Sequence, residues 1–106
     1  MRHPFRGKRW RIVWASIERI AHLAGEEAKR TGDPSTRTLG LCDAPNTKHK
    51  TIHMAEGQSP LCELDTAIHE GLHACMWDLD EEAVADSARD LARFLWRLGY
   101  RRTDKP

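Results

Sequence analysis

At 106 residues the chain has room for one small domain with a modest core and none for a second. Seventeen Lys and Arg stand against sixteen Asp and Glu, a net charge of +1, which excludes a global field that would draw the whole molecule to a polyanion or a polycation. Three cysteines without a C-x-x-C pair exclude a disulfide framework and a zinc ribbon; no apolar run reaches the length of a membrane span, and no signal-peptide core follows the basic start, so a reducing cytoplasm is the expected setting.

Taken in order, residues 1–4 read as a loose end. Between Phe5 and Trp14, the residues Trp10, Ile12 and Trp14 alternate with Arg9, Arg11 and Val13, the pattern of a half-buried strand with its tryptophans on the core side. Ser16 to Arg30 has a helical period in Ile17, Ile20, Leu23, Ala24 and Ala28, and Thr31-Gly-Asp-Pro-Ser35 breaks it. Residues 37–55 read as a hairpin: strand Thr38–Cys42, turn Asp43–Thr47, return strand His49–Met54. His49 and His53 fall on one face of that strand, opposite Ile52 and Met54, either toward solvent or toward a cleft.

The next segment carries the chemistry. Ser59 is an N-cap, Pro60 suits the first helical position, and Leu61, Leu64, Ile68, Leu72 and Cys75 form an apolar stripe. On this helix stands His69-Glu70-Gly71-Leu72-His73, an H-E-x-x-H motif. His69 and His73 lie one turn apart and point the same way, as two ligands of a tetrahedral zinc ion would. Glu70 lies about 100° round the helix, off the metal but within reach of a water there. Two ligands and a carboxylate to take a proton are what metal-assisted hydrolysis needs.

A short connection, Trp77–Asp80, leads to a last helix capped by Asp80, with Glu81 and Glu82 in its first turn. Val84, Ala88, Leu91, Leu95 and Leu98, with Phe94, form its apolar stripe, and Gly99 stops it. A third metal ligand has to come from this side of His73, and the residues leave Asp78, Asp80, Glu81, Glu82 and Asp86 as candidates.

H-E-x-x-H followed by a helix bearing E-x-x-x-D resembles the gluzincin metallopeptidases. The segment Glu82-Ala-Val-Ala-Asp86-Ser-Ala-Arg-Asp-Leu is similar to the corresponding helix of ImmA/IrrE-like metallopeptidases. The order of R-G-K-R-W-R, hairpin, H-E-x-L-H and E-E-A-V resembles small metallopeptidase-like proteins encoded by bacteriophages, with Ser16–Thr36 as an insertion. The resemblance implies that Glu82 is the third zinc ligand and that Asp86 holds a ligating histidine by hydrogen bonding. Only eight residues separate His73 from Glu82, which keeps Glu81 as a rival.

The expectation is therefore an α+β, minimal zincin-like domain over 1–106: a small antiparallel sheet packed against the H-E-x-x-H helix, with a long C-terminal helix alongside. Its expected function is a zinc-dependent metallopeptidase with His69, His73 and Glu82 on Zn2+ and Glu70 as general base. The substrate would be a peptide or protein, in the cytoplasm (a host's cytosol if phage-encoded). The alternative is a non-catalytic zinc-binding or interaction protein, closed by a fourth protein ligand. For the oxyanion, Tyr100 is about 27 Å along a straight helix from Glu82, which leaves His49, His53, Arg89 and Arg93. The His49–Met54 strand would offer its edge to an extended substrate. The clustered basic ends, Arg2 to Arg11 and Arg97 to Lys105, are read as solvated termini, and neither nucleic acid nor membrane is expected as a partner.

Overall fold

The computed structural model describes residues 1–31 and 39–104. It is an α+β arrangement of β1 (Arg2–Phe5), β2 (Lys8–Ala15), α1 (Ile17–Thr31), β3 (Gly40–Cys42), β4 (Thr51–Ala55), α2 (Pro60–Cys75) and α3 (Glu81–Arg97). Beyond Thr31, the helix break expected at residues 31–35 lies outside the described residues.

The sheet corrects three expectations. Its order is β1-β2-β4-β3, and β2 pairs with β4 in parallel, Ile12 opposite Ile52 and Trp14 opposite Met54. It is mixed rather than antiparallel, because α1 stands between β2 and β4 in the chain and a parallel pair requires such a crossover. The hairpin of β3 and β4 does form, Gly40 opposite Met54, but its return strand begins at Thr51, and His49 sits in the preceding turn at φ 58°. The supposed loose end is β1, folded back on β2 through Arg6 (φ 50°) and Gly7 (φ 81°). Two positive φ values in succession suit the right-handed twist of a tight hairpin.

The two faces of the sheet are distinct. Trp10, Ile52 and Met54 pack with Ala74 of α2, joined by Phe5, Ile12 and Cys42. On the other face α1 lies against β3 and β4, with Ile20 and Ala24 buried. Side chains alternate along β4, so His53 points away from α2.

The caps of the last two helices are those the sequence specified. Ser59 Oγ accepts from Cys62 N at 3.4 Å, and Asp80 Oδ1 accepts from Ala83 N at 3.0 Å. Two further bonds seat α2 on the sheet. Gln58 donates to the Ala55 carbonyl at 2.9 Å and accepts from Thr66 Oγ1 at 2.7 Å, tying the end of β4 to the helix. At the other end of α2, Arg6 in the β1–β2 turn donates to the Cys75 carbonyl at 3.1 Å.

Candidate metal centre

The face of α2 that rests on the sheet is largely polar: Glu63, Thr66, Glu70 and Ala74 are its buried residues. The leucine stripe expected to be buried is only half-buried. This rotation decides where the motif's side chains go. Glu70 turns inward over β3, with 6% of its surface exposed. The histidines lie at the flank, 22% (His69) and 18% (His73) of their side chains exposed.

Gly40 makes room for Glu70. A Cβ there would come within 2.8 Å of Glu70 Oε2 and 2.9 Å of Thr66 Cγ2, closer than real contacts allow. A glycine inside a three-residue strand is itself the signal for such an approach, and the sequence reading passed over it.

His69 and His73 stack edge to face, ring centroids 4.9 Å apart. Their Nε2 atoms converge on one carboxylate: His69 Nε2 is 2.8 Å from Glu81 Oε1, and His73 Nε2 is 2.8 Å from Glu81 Oε2. Glu82, one residue on, is exposed and pairs with neither imidazole among the described residues. Helical phase explains the choice. Glu81 precedes Val84 by three residues and Ala88 by seven, and these are two of the buried residues of α3. α3 packs chiefly on α2, so that face delivers Glu81 to the histidines and turns Glu82 off it. Asp86 is likewise half-exposed and pairs with Arg89 at 3.3 Å rather than with a histidine.

Burial sets the electrostatics of Glu70 and His73, while the Glu81 side chain facing them stays 68% exposed. Burial, reinforced by the nearby Glu81 carboxylate, pushes the Glu70 carboxyl up to about 8. Among the described residues nothing donates a hydrogen bond to it, and no side-chain oxygen or nitrogen sealed from solvent lacks a partner. The Glu70 carboxyl therefore keeps a narrow opening to the outside. Burial pushes the His73 imidazole below its ordinary value, against the pull of Glu81, with His69 adding to the depression. A neutral imidazole is the form that ligates metals. Burial, with Glu70 beside it, also drives the Cys42 thiol up to about 12, so this neighbour on β3 is an inert packing group.

These residues suit a metal ion. Ligand atoms of His69, Glu70 and His73 all lie within 4.8 Å of one another. A tetrahedral ion with bonds of about 2.1 Å spaces its donors ~3.4 Å apart; the Glu81 oxygens stand 2.8 Å from the two Nε2 atoms, at hydrogen-bond distance in front of the imidazoles. Trp77, missed by the sequence reading, flanks the site: its ring lies 6.1 Å from that of His73, and 41% of its surface is exposed.

The candidate oxyanion residues are not gathered here. His49 is exposed in its turn, His53 faces away from α2, and Arg89 is paired with Asp86 and Asp90. Nor does the His49–Met54 segment offer an edge, because β4 lies between β2 and β3; on this side of the sheet the free edge is that of β3.

Fold and site together define an α+β protein with a three-residue group, His69, Glu70 and His73, positioned to bind a metal ion. Comparison with protein-family models, with curated proteins and with solved structures gives no match.

Proposed function

We propose that the chain is a zinc-dependent metallopeptidase in which His69, His73 and Glu81 hold the metal and Glu70 is the general base. The observation that carries this reading is the placement of Glu81 across both imidazoles, next to a buried carboxyl with no partner of its own. Two imidazoles and a carboxylate form a donor set that zinc favours and that leaves a position open. A bound zinc ion supplies a Lewis acid that activates water and polarises a carbonyl.

The chain's own residues do the rest. Glu70 takes a proton from the attacking water and returns it to the leaving amine. Its raised pKa, lowered again by a cation nearby, sets it near neutrality, where a base both accepts and releases protons. Gly40 gives that carboxyl its place, and the buried packing of α2 on β3 limits competing water. The resemblance of the motif order to small phage-encoded metallopeptidase-like proteins supports the same reading.

The test is metal stoichiometry on purified protein, followed by peptide hydrolysis. One zinc per chain is expected in the wild type and in Glu82→Ala, with loss in His73→Ala and Glu81→Ala. Glu70→Gln should keep the metal and lose roughly 10²–10⁴-fold in hydrolysis rate. A wild type that takes up no zinc on reconstitution would overturn the proposal. Zinc bound without peptide hydrolysis in the wild type would leave a binding protein instead, and unchanged activity in Glu70→Gln would remove Glu70 as the base.

A further inference from the structure

We propose that the uncovered half of the sheet face opposite α2 binds the sugar–phosphate backbone of nucleic acid. The strand register gathers its charges. Trp10 faces α2, so Arg9 and Arg11 on either side of it point the other way. Arg2 pairs across from Arg11, and Pro4 across from Arg9, so Arg2 joins them on the same face. α1 covers this face over β3 and β4. Arg2, Arg9 and Arg11 stay exposed over β1 and β2. Burial holds the His53 imidazole below its ordinary value against the pull of Asp43, with Arg11 and Arg19 adding to the depression, so Arg19 of α1 extends the patch.

Asp43 also bears on His53 at this face, but it forms no ion pair with these cations among the described residues. Residues 1–17 hold no Asp or Glu. Among the described residues none of Arg2, Lys8, Arg9 and Arg11 has an ion pair. The basic C-terminal segment behaves differently. Arg101 stacks on Trp96 at 3.3 Å, and Arg102 binds Glu63 at 3.0 Å and Asp104 at 2.7 Å. The expectation that both ends are merely solvated therefore fails for the C-terminal one, whose charges are used inside the fold. At the N-terminal end Arg6 is bonded to the Cys75 carbonyl, and Arg2, Arg9 and Arg11 remain an ordered row of guanidinium groups without ion pairs among the described residues.

The occupant follows from charge and shape. Arg9 and Arg11 lie ~6.8 Å apart along the strand, with Arg2 about 5 Å across from Arg11. Between them the face offers Pro4 and no aromatic ring, so it can neutralise phosphates but neither stack on nor read bases. A protein partner would need an apolar centre to bury, and this face offers only Pro4 and the half-buried Val13. The patch lies on the opposite side of the sheet from the histidines, so binding there is independent of metal.

Fluorescence anisotropy with a labelled DNA duplex of arbitrary sequence, between 50 and 200 mM salt, tests this. The wild type should bind with a log–log salt slope between about −3 and −5, at roughly 0.9 per phosphate contacted. The triple variant Arg2→Ala/Arg9→Ala/Arg11→Ala should reduce the slope by about 3. Arg89→Ala/Arg93→Ala/Arg97→Ala removes the same charge from α3 and should leave it unchanged, as should a chelator. Absence of binding in the wild type at 50 mM salt would overturn the proposal. So would equal weakening by the two triple variants, or equal capture of a polyglutamate peptide, which would indicate an acidic protein surface.

Discussion

α2 and α3 are neighbouring helices of 16 and 17 residues, both amphipathic, and they use their faces in opposite ways. α2 buries carboxyls and a hydroxyl against the sheet and leaves its leucines half-buried. α3 buries only Val84, Ala88 and Ala92, while Leu91, Phe94 and Leu98 are 43%, 57% and 59% exposed. On stability alone both choices are poor, since apolar burial is the main favourable term in folding. The difference makes sense at the site. Small side chains at 84, 88 and 92 let the two helix axes approach closely, and that approach brings Glu81 to the histidines. The inward turn of α2 brings Glu70 to the same place. Polar burial in α2 places His69, Glu70 and His73 together, and the buried line of α3 sets Glu81 against the two imidazoles.

The largest effect expected from breaking this arrangement is at Glu70. Its carboxyl titrates at about 8 in the fold against 4.5 ordinarily. A raised folded-state value means the protonated form is favoured in the native state. The stability this brings is present below 4.5 and is lost as pH rises through 8. At 1.36 kcal/mol per unit the loss is on the order of 5 kcal/mol. Urea denaturation of chelator-treated protein should therefore show the wild type losing stability from pH 5 to pH 9 relative to Glu70→Gln. His73, whose depressed value contributes in the opposite sense, is common to both proteins and cancels in the difference. Parallel curves would mean that Glu70 is well solvated. With zinc bound the difference should shrink, because a nearby cation stabilises the carboxylate.

A middle-sized effect is expected where the helices meet. Ala88 is fully buried on the face of α3 that packs against α2. Ala88→Leu should cost about 1–3 kcal/mol by overpacking. It should also weaken zinc binding, because separating the helices draws Glu81 away from the imidazoles. Thermal melts with and without zinc separate the two consequences. A variant destabilised by the expected amount but binding zinc as the wild type does would show that Glu81 does not depend on the close approach.

Much of this was legible in the chain. Ser59-Pro60 and Asp80 marked both helix starts, and H-E-x-x-H marked the pair of imidazoles and the carboxyl between them. What was not legible depends on tertiary phase. Choosing Glu81 or Glu82 requires knowing which face of α3 is buried, and the leucines suggested a stripe through Leu91 and Leu98 when the buried line runs through Ala92. The stripe and the buried line share Val84 and Ala88; the exchange of one glutamate for the next is the step of about 100° between Glu81 and Glu82, and the resemblance to the gluzincin pattern had set it at Glu82. The parallel pairing of β2 and β4 is set by how α1 crosses over, which no local pattern encodes. The β1–β2 turn went unread because Arg6-Gly7 is a poor signal beside the usual Asn-Gly.

The smallest expected effect tests the other half of the comparison. If α3 leaves its leucine side unused, then Phe94, three residues beyond Leu91 and 57% exposed, adds little to the fold. Phe94→Ser should change stability by less than about 0.5 kcal/mol, as surface substitutions generally do, and leave zinc binding unaltered. A loss of about 3 kcal/mol or more, the cost of removing a buried phenylalanine, would mean that α3 is rotated from the orientation described. The rotation that buries Phe94 would also turn Glu81 away from His69 and His73 and bring a different side chain to them. A denaturation curve on this one exposed aromatic therefore tests the proposed ligand assignment from a position about three and a half turns along α3 from Glu81.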